Sequence, residues 1–163
     1  MTAHAPPSST TTRTANGQGL VEVDRNGLEV LDRADCLRLL GRATLGRIGI
    51  TAGALPMVLP VNFRLVGERI LLRTTAGTKL DAATRGAIVA FEADDFEPMS
   101  HAGWSVVVTG EAREVTDPAE LAELATANIP RWAPSKDDRI VAIDTAIVSG
   151  RRIVPGLQQE GDL

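Results

Sequence analysis

The sequence predicts a mainly β fold, a closed antiparallel barrel carrying short accessory helices. Two observations carry that expectation. Six runs read as strands, most of them separated by turn-forming pairs, and no strand–helix–strand alternation extends along the chain, which removes the parallel-sheet alternatives. The helical segments are three in number and short.

The elements follow in order. Asp32 opens "DRADCLRLLGRA", where Asp35 three positions on resembles a capping box and Cys36, Leu37, Leu39 and Leu40 form an apolar helical face, predicting a helix over 33–41. "LGRIGIT" (45–51) sets Leu45, Arg47 and Gly49 against Gly46, Ile48 and Ile50, and "GALP" turns the chain. "MVLPVNFRLV" (57–66) places Met57, Leu59, Val61, Phe63 and Leu65 on one face and Val58, Pro60, Asn62, Arg64 and Val66 on the other. A Gly-Glu turn returns it as "RILLRTT" (69–75), followed by a helix over 78–86 and a strand "AIVAFEAD" (87–94). "WSVVVTGEAREV" (104–115) is the most β-branched run. Asp117-Pro118 with Glu120 starts a helix that Pro130 is expected to stop, and "RIVAIDTAIVSGRRI" (139–153) reads as one long final strand.

At 163 residues with 44% hydrophobic content, the chain supports a single core. The expected organisation is a disordered Ser/Thr/Pro/Gly-rich tail over 1–22, one domain over 23–156 and a C-terminal tail over 157–163. A net charge of −4 without an extended basic run argues against nucleic acid, and no apolar stretch is long enough for a membrane span or secretion signal. Cys36 stands alone, which rules out an internal disulfide and a cysteine-based zinc site; cytoplasmic residence is the default. The chain has no tyrosine, and its histidines are His4 and His101, so no multi-histidine metal site is expected and a cofactor must supply any reactive atoms.

The segment "RTTAGTKL" (73–80) gathers Arg73 and Lys79 around a glycine turn, with Thr78 as a natural N-cap. A lysine at a helix start opposes the helix dipole, and an anion would reverse that balance: free N–H groups, the Thr74, Thr75 and Thr78 hydroxyls and two cations suit a phosphate monoester. An ordinary capped helix with Lys79 in solvent and Asp81 offsetting its charge fits the spacing as well. Pro60-Val61-Asn62 is unusual in a strand, because proline leaves a ladder position unpaired and Asn62 puts an amide on a half-buried face; such a place suits a flat polar heterocycle, or simply an edge strand. Trp104 reads as a core or interface residue before a stacking platform. His101 reads as a loop histidine before a haem ligand, Glu92 and Asp94 as a solvated strand end before an acid–base pair, and Arg151-Arg152 as surface charges before an anion clamp across an interface.

In order and spacing, "LGRIGI", "LPVNF", "ILLRTTAGTKL", "VAFEAD", "GWSVVVTGEAREV" and "IVSGRRI" resemble the pyridoxamine 5′-phosphate oxidase-related family, the FMN-binding split β-barrels, especially short bacterial members that include nitroimidazole-resistance proteins. The resemblance covers roughly residues 28–153. It implies a six-stranded split barrel that forms a homodimer with FMN between the subunits. By that similarity Arg73, Thr74, Thr78 and Lys79 hold the phosphate, Pro60, Val61 and Asn62 line the isoalloxazine edge, Trp104 and Ser105 lie on the partner-facing strand, and Arg152 reaches in from the other subunit. The implied function is a flavin-dependent oxidoreductase acting on a small organic substrate, with no catalytic residue or metal assigned. The same barrel serves the deazaflavin F420 and haem in related proteins, so an F420-dependent reductase or a non-catalytic flavin, F420 or haem carrier are the alternatives. Oxidation of pyridoxamine phosphate itself is not expected, since the chain lacks a second basic and histidine set near its C-terminus.

Overall fold

A computed structural model of the chain describes residues 12–16, 19–78, 80–81, 84–130 and 136–155. Among these residues ten strands are joined antiparallel: β1 (Thr12–Asn16), β2 (Gly19–Val23), β3 (Glu29–Leu31), β4 (Leu45–Ala52), β5 (Leu55–Val66), β6 (Arg69–Thr75), β7 (Ala87–Glu97), β8 (Ala102–Glu114), β9 (Asp138–Asp144) and β10 (Ile147–Ile153), with helices α1 (Arg33–Leu40) and α2 (Pro118–Leu124). The sheet order β8-β7-β4-β5-β6-β9 closes on itself because β9 also pairs with β8. That ring is the six-stranded barrel the sequence predicts. No helix among the described residues is long and apolar enough to cross a membrane.

Alternation decides which side chains fill the barrel. On β4 Gly46, Ile48 and Ile50 are buried while Leu45 and Arg47 face out, and on β5 Val61 and Phe63 enter the core with Met57, Leu59 and Leu65 packed against it. Phe63 and Phe91 meet edge to face with centroids 4.8 Å apart. The first hairpin is tighter than expected. Gly53 and Ala54 both adopt positive φ (56° and 65°), so β5 starts at Leu55 rather than at residue 57. Asp32 caps α1 by accepting from the Asp35 N–H at 2.7 Å, and Cys36, Leu39 and Leu40 are buried.

The long final strand divides in two, and the division splits the barrel. Residues 112–114 of β8 pair with β9, whereas residues 103–109 pair with β10 along the same edge. Between them a Cβ on Gly110 would fall on the Asp144 carbonyl oxygen, so only glycine lets the chain part there. β9 stays in the barrel beside β6, and β10 leaves it to pair with β3, which continues into β2 and β1. The expected tail boundary at residue 22 therefore falls inside β2; residues 1–11 and 17–18 lie outside the described set.

A second apolar cluster covers the outside of β6 and β9: Leu71, Val115, Ile140 and Ala142 pack under Leu124 of α2 and Ile129. Burying Ile129 explains why α2 ends at Leu124 and not at Pro130. The chain leaves the helix through a turn, Asn128 takes φ 45°, and Ile129 drops into the cluster. Glu120 anchors α2 by accepting from both Arg69 and Arg113. Of the helix expected over 78–86, Leu80 and Asp81 are helical and the Thr84 N–H donates to the Leu80 carbonyl at 3.0 Å, while Lys79, Ala82 and Ala83 lie outside the described residues.

Candidate functional site

The turn after β6 is assembled around a buried carboxylate. Gly77 takes φ 77°, a left-handed angle suited to glycine. Thr78 caps the following turn, its Oγ accepting from the Asp81 N–H at 3.1 Å, and in return the Gly77 N–H donates to Asp81 Oδ2 at 2.9 Å. Asp81 is 2% exposed, so it is a structural hub rather than a solvated counterweight to Lys79. Arg85 donates to it at 2.7 Å and Arg139 Nε stands 3.8 Å away, itself tied to Glu114 at 2.8 Å. The Gly77 N–H, followed by Arg85, holds the Asp81 carboxyl below the usual carboxylate range, against the opposing push of burial. Thr74 is buried with its Oγ 2.9 Å from Thr78 Oγ, and Arg73 Nε donates to the Ile129 carbonyl at 3.3 Å. Thr74 and Thr78 are thus brought together, while Arg73, on the opposite face of β6, reaches toward Ile129; Lys79 lies outside the described residues.

On β5 the structure sorts the three candidates by face. Pro60 is exposed and Asn62 half-buried on the outside, whereas Val61 turns its side chain into the core, so what Val61 offers the outer surface is main chain. The pairing of β5 with β6 ends at Phe63↔Leu72. Asn62 and Arg73 are the next residues on each strand and share the outer face where the two strands part. Arg64, two residues from Asn62 and opposite Leu71, joins the same face. Sequence reading placed Arg64 there but attached no role to it; the signal that singles it out, a buried Nε without a hydrogen-bond partner among the described residues, exists only in three dimensions.

Trp104, Ser105 and Arg152 belong to a different place, the N-terminal end of β8 and the C-terminal end of β10. Three cavities meet at Trp104: one of about 350 Å³ reaching Thr44 and Leu45, and two of about 270 Å³ bordered by Asp95, Gly103 and Ile153. Arg152 is held in its own chain by Glu29 at 3.1 Å, and Arg151 by Asp24 at 2.8 Å. The register Asn62↔Leu45 and Asp94↔Ser105, with β4 paired to β7 at Arg47↔Glu92, puts Asn62 and Ser105 in one row three strand steps apart, about 14 Å. Within one chain the two groups of candidates do not converge.

The remaining candidates resolve simply. Glu92 and Asp94 both pair with Arg47, at 2.9 and 2.5 Å, and His101 is exposed in the β7–β8 turn with φ 53°. Among the described residues no cluster of His, Cys, Asp or Glu could hold a metal ion. The donor types near Asn62 suit a phosphate-bearing heterocycle: arginines on the outer face, a pair of hydroxyls at a glycine turn, and an amide two residues from a strand proline.

The chain is 43% identical over 129 residues to the uncharacterized protein Rv0080 of Mycobacterium tuberculosis, covering 76% of this chain and 84% of that one. Among solved structures it resembles the FAD binding protein of Mycobacterium smegmatis (TM-score 0.70, 37% identity, 76% of this chain and 97% of that chain). It also resembles a conserved protein of unknown function from Corynebacterium diphtheriae (TM-score 0.65, 32% identity, 78% and 99%). The family model for pyridoxamine 5′-phosphate oxidase matches residues 32–152, from the cap of α1 through the barrel and its fork to Arg152. With that span matched and the split barrel formed, the chain belongs to the pyridoxamine 5′-phosphate oxidase family.

Proposed function

We propose that this protein is a homodimeric, cytoplasmic flavin-dependent oxidoreductase that acts on a small organic substrate. The observations that carry the reading are Asn62 and Arg73 side by side where β5 and β6 part and the Thr74–Thr78 hydroxyl pair at the following glycine turn, in a chain 37% identical to an FAD binding protein. Arg73, Thr74 and Thr78, with Lys79, hold the phosphate of the flavin, and Pro60, the Val61 main chain and Asn62 border its ring. FMN is the simplest flavin to satisfy these contacts, and FAD carries the same ribityl phosphate. A bound flavin supplies hydride or electron transfer; the chain binds it, orients it and keeps water from one face.

The dimer brings the two candidate groups together. The row Val58–Gly49–Ala90–Thr109–Ile147 runs across five strands on the outer face, with Val58 68% and Ile147 66% exposed. Small and apolar side chains in register make a surface that a second copy can cover. One copy then presents its Trp104 end to the Asn62–Arg73 end of the other, which closes the separation seen within a single chain.

The test is an absorption spectrum of the purified protein, titration with FMN, FAD, F420 and haem, and light scattering for mass. A flavin spectrum, micromolar flavin affinity and a dimeric mass are expected. Failure to bind either flavin at micromolar concentration overturns the reading. A non-catalytic flavin carrier is the second reading, favoured by the scarcity of proton donors: no tyrosine, and among the described residues His101 as the only histidine, exposed in a turn. Stopped-flow reduction by NADPH or reduced F420 separates the two, since a carrier shows no substrate-dependent turnover.

A further inference from the structure

We propose that the cavity on the outer face of the β7–β8 end, between Phe96 and Arg151, is a ligand site that takes a flat, uncharged aromatic compound by its carbonyl oxygen. The inference rests on the flavin reading above for its chemistry, since it names a class for the small organic substrate, while the binding itself can be measured without flavin.

Strand register makes the hollow. Gly103 stands between Phe96 of β7 and Ile153 of β10 in one row across the sheet. No larger residue fits there, because a Cβ would lie 2.9 Å from both the Asp95 carbonyl oxygen and Phe96 Cδ2. Main chain therefore floors a cavity of about 270 Å³, and Phe96, Leu28 and Ile153 wall it. Phe96 is 53% exposed, which leaves much of its ring for a ligand to pack against. An apolar cavity of about 150 Å³ takes up benzene, so this one has room for two fused rings.

One side of the cavity is polar, and its charges are already matched. Ser105 faces Arg151 across β8 and β10, and Asp94 faces Ser105 across β7. Arg151 donates through Nε to Asp24 at 2.8 Å and through Nη1 to the Gly150 carbonyl at 2.9 Å. Those bonds fix the guanidinium and leave Nη2 without a partner among the described residues. The Ser105 hydroxyl, also on the cavity lining, has no partner among them either. Asp94 is paired with Arg47 at 2.5 Å. A charged ligand would give up its hydration here without meeting an unpaired opposite charge. An uncharged carbonyl oxygen instead meets donors already held in place. Asp24 shapes the apolar wall as well, since its Oδ1 accepts from the Leu28 N–H at 3.1 Å.

Isothermal titration of the full-length protein with 2-acetylnaphthalene, 2-naphthoate and protonated 2-naphthylmethylamine, with and without saturating FMN, tests this. The ketone is expected to bind about tenfold or more tightly than either charged probe, and FMN is expected not to displace it. Phe96→Ala, at an exposed position that leaves the core closed, is expected to lose about tenfold in ketone affinity. Arg151→Lys keeps the charge opposite Asp24 without the guanidinium fork and is expected to lose roughly threefold or more. Asp24→Asn keeps an oxygen for the Leu28 N–H and removes the charge that balances Arg151, so 2-naphthoate is expected to gain about tenfold on the ketone. A cavity with a merely structural role would not reverse its preference in that way. No binding of the ketone at about 1 mM, equal affinity for the three probes, no loss in Phe96→Ala and Arg151→Lys, or displacement of the ketone by FMN overturns the proposal and leaves the flavin reading intact. Binding of the ketone with no binding of FMN or FAD supports the site and overturns the flavin reading.

Discussion

The turn after β6 and the Trp104 end of β8 differ in how far the chain completes them by itself. At the turn, Gly77, Thr78, Asp81, Arg85 and Arg139 satisfy one another within a few residues of sequence or across one strand pairing. At Trp104 the surface is left open: three cavities adjoin it, Phe96 is 53% exposed and Met99 92% exposed. The contrast teaches that one region is pre-organised and the other is left open. Pre-organisation lowers the ordering cost of binding an anion at the turn. The open end suits the second subunit proposed above.

The largest expected effect comes from the joint that keeps the two ends apart. Gly110→Ala puts a methyl group into the Asp144 carbonyl where β9 and β10 separate, and about 3 kcal/mol of stability should be lost in urea unfolding. A loss under about 1 kcal/mol would show that the fork can shift to admit the methyl. Next, Lys79→Ala should weaken flavin binding by about 1.5–3 kcal/mol without changing the dimeric mass, whereas Trp104→Ala should disturb the mass as well. The comparison fails if both variants behave alike in light scattering.

Gly77→Ala should cost about 1 kcal/mol, measured by thermal unfolding, because alanine is strained at φ 77° although no atom stands within 4 Å of the added methyl. Acid should do least over the ordinary range. Asp81 and Glu120 are both held below their usual pKa in the folded chain, the first mainly by the Gly77 N–H and the second by Arg113 and then Arg69. Groups with depressed folded values add stability that is fully present above their unfolded pKa and is lost as pH falls through the folded one. The unfolding midpoint should therefore be flat from pH 8 to about pH 5 and drop only below about pH 4. A midpoint that falls between pH 7 and 5 would show that some other group governs the turn.

Much of the fold was legible because its signals are local. Period-two alternation identified the inner face of β5 down to Val61 and Phe63, and the caps at Asp32 and Thr78 formed as their spacing predicts. The two segments singled out in the sequence, "RTTAGTKL" and "LPVNF", adjoin where β5 and β6 part, and the flavin role given to them is the proposal made above. What local reading missed depends on partners far away in sequence. Alternation runs unbroken through Asp144, Thr145 and Ala146, so nothing in the last strand announces that it forks; the cause is Gly110, on another strand. Ile129 ends α2 early because the cluster on β6 and β9 draws it in.

Sequence alone determined the composition of each strand face, the caps, the turn chemistry and the donor types at the site, since these follow from the conformational preferences and spacing of neighbouring residues. Tertiary structure alone decided that Asp81 is buried, that Arg152 is bound to Glu29, that the Arg64 Nε has no hydrogen-bond partner among the described residues, and that Trp104 stands three strands from Asn62. Burial and pairing are properties of the whole sheet: they depend on the register in which distant strands meet, and no short window of sequence contains that register.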